Sequence, residues 1–200
     1  MKKIWIALIC AGCAAGTLAA GIGWNAAVRK KGDARNQDVI RVTMILPHSD
    51  QGYWSSVGEG ALRAGKELGV DVKLEIPQFN YDISQMTELI HKATAAQVDA
   101  IIVQGTNDQE YLEALEEAVA SNIQVIFVDT DVEGFEGCLY VGTDNYEAGA
   151  LLGQKTAEMT EGNANIVVIS GSLGYPNLEE RYDGFQDILS QYPDMNILTV

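Results

Sequence analysis

Short apolar runs at 40–46, 70–76, 100–103, 125–128 and 166–169 each end in a cluster of polar residues, and each is followed by a stretch with helical spacing. Strands that alternate with helices predict repeated strand-helix-strand units, a parallel sheet and hence a doubly wound α/β fold. Ligands of such open sheets bind beyond the carboxyl ends of the strands. The segments that fall there are 47–54, 78–80, 104–108, 129–131 and 170–177. Met86, Leu89, Ile90 and Ala93 make one helical stripe, and Leu112, Leu115 and Val119 make another. Helix starts are expected at Asp82, Asn107, Asp144 and Asn177, each followed three residues later by Gln or Glu in capping-box spacing. A last helix is expected over 178–191 and a strand over 197–200, with no unit after it, so the sequence reads as a fragment of a longer chain.

The N-terminus has a different pattern. Lys2 and Lys3 precede an uncharged, mostly apolar stretch over 4–24, and Arg29, Lys30 and Lys31 follow it. Residues 1–24 therefore read as an export signal or a membrane anchor, close to the roughly 20 residues a spanning helix needs. Cys10-Ala11-Gly12-Cys13 also resembles a lipoprotein signal with Cys13 acylated, although Cys10 stands where Leu is usual. More Lys and Arg follow the apolar stretch than precede it, which opposes placing the folded part outside the membrane; the export reading is preferred even so. Residues 25–38 are polar and aperiodic, a tether leading into a domain that begins near Val39.

Charge and composition narrow the function. A net charge of -15, with no basic cluster outside the leader region, argues against a nucleic-acid partner. A neutral or cationic small ligand is easier to accommodate. Two of the three cysteines lie in the leader, so Cys138 stands alone in the folded part and reads as a small buried hydrophobe. His48 and His91 have no clustered partners, so no metal site is expected. There is no phosphate loop, no nucleophile elbow and no call for a cofactor.

Candidate chemistry sits at the strand ends. In the first of these loops Asp50, Gln51, Tyr53 and Trp54 combine polar groups with two flat apolar rings that suit a sugar or an aromatic ligand. Trp54 has a second reading, in which it staples the first helix to the sheet with Val57, Ala61 and Leu62. Asp129, Thr130 and Asp131 follow the fourth strand, where a carboxylate can accept ligand hydroxyls or cap its own loop. Arg181 offers a planar fork to ring oxygens or a carboxylate, and its spacing alone equally suits a surface pair with Glu180 or Asp183.

Three segments then carry a resemblance: Asn177-Leu178-Glu179-Glu180-Arg181-Tyr182-Asp183-Gly184-Phe185, Val141-Gly142-Thr143-Asp144-Asn145 with Gly149 beyond, and Val98-Asp99-Ala100-Ile101-Ile102-Val103. In order and spacing the chain from Val39 to Val200 resembles the type I periplasmic binding proteins, in particular their ribose-binding branch. The resemblance implies two doubly wound lobes joined by a three-stranded hinge and closing on a sugar. It places the first lobe at 39–143 and an incomplete second lobe at 144–200, with the crossing at Asp144 and Asn145. Tyr53 and Trp54 correspond to the family's sugar-stacking aromatics, and Gln51 stands where ribose binders have Asn. Asp129 matches the family's sugar-binding Asp and Arg181 its second-lobe Arg. Thr130 stands where ribose binders carry Arg, which speaks against ribose itself but not against a sugar. Asp50, Thr130, Asp131 and Asn177 complete the candidate site. The resemblance also implies that the chain continues by about a further domain half.

The expected function is a cell-envelope solute-binding protein, held at the membrane by its N-terminal segment, that captures a sugar and presents it to an ABC importer without catalysis. A sensor that reports to a membrane histidine kinase or chemoreceptor is the alternative. A glycosidase-like site using Asp129 with Asp131 or Asp144 has no other support. A repressor version of the fold is disfavoured, because an apolar leader stands where a basic helix-turn-helix would be.

Overall fold

The computed structural model describes residues 39–48, 52–135, 138–171 and 175–200. The leader, the tether, Asp50 and Gln51 lie outside the described residues. Among those described, no helix is long and apolar enough to cross a membrane.

Along the first three inner strands, side chains alternate between the two faces of one sheet. The strands are β1 (Arg41–Ile45), β2 (Asp71–Glu75), β3 (Ala100–Gln104), β4 (Gln124–Val128) and β5 (Leu139–Val141), all parallel, in the order β2-β1-β3-β4-β5. Ile45, Ile101, Val103, Val125 and Phe127 face one layer, where they bury Met86 and Ile90 of α2 (Ile83–Ala95) and Tyr111 and Leu115 of α3 (Gln109–Ala120). Val42, Met44, Leu46, Ile102, Ile126 and Val128 face the other, against Trp54 and Ala61 of α1 (Tyr53–Leu68). Period-two alternation thus gives each face its own core. Each large apolar side chain fully buried this way contributes about 1.5–3 kcal/mol. The strand order reverses between β1 and β3, and that switch point opens a crevice at the carboxyl ends of the two strands.

A second, smaller unit follows. The helix α4 (Asn145–Met159) leads to β6 (Asn163–Val167), α5 (Pro176–Leu189) and β7 (Asp194–Thr199), with β6 and β7 pairing in parallel. Ala157, Phe185, Leu189 and Met195 form its small core. The helices α4 and α5 cross at close range. A Cβ on Gly149 would meet the carbonyl oxygen of Arg181, and one on Gly184 would meet that of Tyr146, so only hydrogen fits at either position.

Several boundaries differ from the sequence expectation, for local reasons. Asp82 and Asp144 cap α2 and α4 as expected, accepting from Gln85 N at 3.0 Å and Glu147 N at 2.9 Å. The cap of α3 is Asp108 instead of Asn107, accepting from Tyr111 N at 3.0 Å. The helix α5 begins at Pro176 behind Tyr175, without a side-chain cap, and Asn177 sits inside its first turn. Proline at the first position needs no partner for an N–H it lacks. Val119 is 43% exposed, because Tyr111, Ala114, Leu115 and Ala118 make the buried stripe of α3. The strand expected at 166–169 is β6, three residues earlier, and Ile169 is 94% exposed. The three-residue β5 was not expected as a strand; its run is too short to declare itself.

Candidate functional site

Asp129 follows β4 with φ 70°, in the left-handed region. That conformation costs a residue with a Cβ about 1–2 kcal/mol, and Asp is among the few that visit it routinely. The surroundings over-determine it. The Tyr140 hydroxyl, with one proton to share, stands 2.8 Å from the Asp129 carbonyl oxygen and 2.7 Å from that of Thr143. Asp129 N donates to Val141 O at 3.1 Å, tying the turn to β5. Beside it Gly105 N donates to Thr130 O at 2.9 Å, and a Cβ on Gly105 would strike that same oxygen, so glycine lets the ends of β3 and β4 close up.

The turn aims the carboxylate into the crevice, where four donors reach it. The Tyr53 hydroxyl donates to Oδ1 at 2.8 Å. Oδ2 accepts from Gln104 Nε2 at 2.8 Å, Thr130 Oγ1 at 2.9 Å and Asn177 Nδ2 at 3.3 Å. All four donors are uncharged. Burial, and then the hydrogen bond to Asp129, raise the Tyr53 phenol well above its ordinary 10.0, while Arg181 works weakly against the shift. Tyr53 therefore remains a donor throughout the physiological range.

Rings surround this carboxylate. Tyr53 is 55% exposed and meets Trp54 edge-on, with centroids 5.0 Å apart. Trp54 itself is 3% exposed, packed among Met44, Ala61 and Ile102, and its Nε1 donates to the Tyr81 hydroxyl at 3.2 Å. Of the two readings left open for Trp54, this geometry supports the staple. Leu62, expected to share in it, is exposed. Tyr81 continues the aromatic row to His48 at 5.5 Å and to Tyr175 at 6.1 Å.

The second unit contributes Asn177 and Arg181, one turn apart on α5. Asn177 is buried, and with its amide nitrogen turned to Asp129 its Oδ1 has no hydrogen-bond partner among the described residues. Arg181 is exposed and makes no ion pair with Glu180, Asp183 or any other described acid, so the surface-pair reading loses its partner. Asn145 is buried at the start of α4, its amide 3.4 Å from the Tyr140 hydroxyl. Thr130 is fully buried, whereas Asp131 is exposed and accepts from Val132 N at 2.9 Å, capping its own loop. Asp144 is occupied as the cap of α4.

Tyr53, Asp129, Thr130 and Asn177 thus come together, with Arg181 near them and Asp131 turned away. Sequence reasoning passed over Gln104, Tyr81, Tyr140 and Tyr175. Gln104 carried a usable signal: a Gln closing an otherwise apolar strand at the crevice end. Chemically the site offers a fixed carboxylate, unused acceptor capacity on Asp129 Oδ1 and Asn177 Oδ1, and an exposed tyrosine ring. That combination suits a neutral ligand with several hydroxyls. No group of three metal-ligating side chains occurs among the described residues.

Known proteins resemble this chain in sequence and fold. Residues 42–200 match the family described as "Periplasmic binding protein domain". A D-apiose import binding protein of Actinobacillus succinogenes is 23% identical over 158 residues, covering 78% of this chain and 50% of that protein. The crystal structure of a glucose-galactose binding protein from Geobacillus stearothermophilus superposes with a TM-score of 0.76 at 36% identity, covering 82% of this chain and 58% of that one. The fructose-binding periplasmic domain of a hybrid two-component system gives a TM-score of 0.73 at 28% identity, with 80% and 53% covered. The chain spans about half the length of the curated relatives it matches. With a parallel sheet switching at β1 and β3, a polar crevice at that point and a family match over most of its length, this chain belongs to the type I periplasmic binding proteins, in their ribose-binding branch.

Proposed function

We propose that this chain is the ligand-capturing part of an extracytoplasmic solute-binding protein that takes a sugar between two lobes for an ABC-type importer. The observation that carries the proposal is the Asp129 carboxylate, fixed at the crevice by neutral donors from α1, β3, the loop after β4 and α5. Such a carboxylate accepts sugar hydroxyls at Oδ1 while the Tyr53 ring covers one face of the ligand. Arg181 and Asn177 reach the ligand from the second unit, so closure about Asp144 and Asn145 completes the site. Gln51 and Asp50 belong to the same loop and are assigned to the ligand with it. A binding role is supported by the names of the similar proteins, which concern binding, and among the described residues Asp131 and Asp144 are engaged as caps of backbone N–H groups. The names of the similar proteins, which concern apiose, glucose, galactose and fructose, agree with a sugar.

Thermal unfolding of the full-length protein against a sugar panel tests this. One or two sugars should raise the midpoint by mass action. No rise across the panel, from a folded protein, overturns the sugar reading.

A sensor role is the second reading, favoured by the likeness to a periplasmic domain of a hybrid two-component system. Deleting the gene separates the two: loss of uptake of the bound sugar supports the importer, and intact uptake with loss of a transcriptional response supports the sensor.

A further inference from the structure

Gln104 closes β3 and is 7% exposed, so its side chain is committed to the partners it has. Its Nε2 lies 2.8 Å from Asp129 Oδ2 and 3.2 Å from Thr130 Oγ1, and an amide nitrogen has one proton for each. Thr130, fully buried, passes its own proton on to Asp129 Oδ2 at 2.9 Å. The three side chains close a ring of hydrogen bonds with one direction of donation, ending on a single oxygen. The Gln104 end of the ring is itself fixed: its backbone pairs with Val128, and its carbonyl oxygen accepts from the buried Tyr111 hydroxyl at 2.9 Å. With Asn177, Oδ2 has three donors, while among the described residues Oδ1 has the hydroxyl of the exposed Tyr53 alone.

We propose that Gln104 is a positioning residue for ligand binding: through Thr130 it saturates one oxygen of Asp129 and so presents the other to the ligand. The inference rests on the sugar-binding reading for its ligand, but its geometry is independent of any ligand. It also accounts for Thr130. Where a cation would hold and partly neutralise the acid, an amide and a hydroxyl hold it and leave its charge whole. Among the described residues the charged and titratable groups around the ring are Tyr53 from α1, Tyr111 from α3, Tyr140 from β5, Asp131 from the same loop, and Glu180 and Arg181 from α5.

Two near-isosteric variants of the full-length protein test the proposal. Gln104→Met removes the donor. In crystals without sugar the Asp129 carboxylate should leave its position, and affinity for whichever panel sugar stabilises the unsubstituted protein should fall about 10- to 100-fold. Gln104→Glu sets two carboxyls at hydrogen-bond distance, which cannot both ionise. The introduced carboxyl should then hold its proton above the ordinary carboxylate range in a nuclear magnetic resonance titration without ligand. Sugar affinity should be weak near about pH 8 and recover toward about pH 5, as a shared proton takes the place of the amide. A residue that merely joined two strand ends would not give that pH profile. Asp129 unmoved in the Gln104→Met crystal, or an ordinary titration of the introduced carboxyl, overturns the proposal. If no sugar binds the unsubstituted protein, the sugar reading falls, while the crystal and the titration still decide the role of Gln104.

Discussion

At the scale of single residues, two neighbours in the first turn of α1 have opposite fates. Trp54 fills the core beneath α1, so Trp54→Ala should cost about 3–5 kcal/mol of stability, read as a drop in the urea midpoint of unliganded protein. Tyr53 is half in solvent, and Tyr53→Phe should leave that midpoint nearly unchanged while altering sugar affinity. The sequence supports both rings as binders or as packing, because adjacency places them at the crevice without saying which turns inward. Burial of a ring depends on the hole that Met44 and Ile102 leave between them, and these lie in other strands. Asp129 was singled out because a carboxylate directly after a buried strand stands at the crevice, where it accepts ligand hydroxyls or caps its own loop, as Asp131 does. Gln104 carried a signal in closing an apolar strand at the crevice end, but the role of its amide depends on Thr130, 26 residues away. Cys138 gives a pH test. Burial first, and the Asp131 carboxylate second, push its thiol from 9.0 up to about 11. The unfolded chain releases that proton first, so the folded state loses stability as pH rises from about 9 to about 11 and gains nothing below that window. The gap in urea midpoint between the unsubstituted protein and Cys138→Ala should therefore change only above about pH 9.

At the scale of elements, spacing placed four helix starts to within about two residues, but an aspartate three residues before Gln or Glu marked the cap itself only at Asp82 and Asp144, while Asn107 and Asn177 are not caps. Errors fell where the deciding contact was distant or the run too short. The strand β6 lies three residues ahead of its most apolar stretch because pairing with β7 fixes its register. Nothing in the pattern shows how near α4 comes to α5. Gly149 and Gly184 put the two backbones in contact, and that contact sets where Arg181 and Asn177 stand on α5. Gly149→Ala should push the helices apart, with an overpacking cost of about 1–3 kcal/mol. Hydrogen exchange should accelerate in α4, α5 and β6 while β1, β3 and β4 keep their protection.

At the scale of the whole molecule, among the described residues the two units touch across the crevice through few side chains, chiefly Asn177 on Asp129 and Tyr175 on Tyr81. The second unit also leaves apolar groups such as Leu152 and Met159 in solvent, in contrast to the two covered faces of the first sheet. Few contacts across the crevice are what a closing motion requires, since each contact must be remade as the units approach. Asp129→Asn keeps the shape of the side chain and its left-handed backbone, so it should lower sugar affinity about 10- to 100-fold with the unfolding midpoint of the unliganded protein little changed.

The uncharged character of the four donors to Asp129 has a consequence for the surroundings in which the protein works. A chain of net charge -15 is exposed to every change in external ionic strength, yet a neutral ligand held by hydroxyls, amides, one carboxylate and the Arg181 guanidinium brings no counterions to release on binding. The Debye length shrinks from about 30 Å at 0.01 M salt to about 3 Å at 1 M, and the dissociation constant for such a ligand should change less than about twofold over that range in titration calorimetry. Under the sugar-binding proposal, half-occupancy would then fall at one ligand concentration whether the surroundings are dilute or salty.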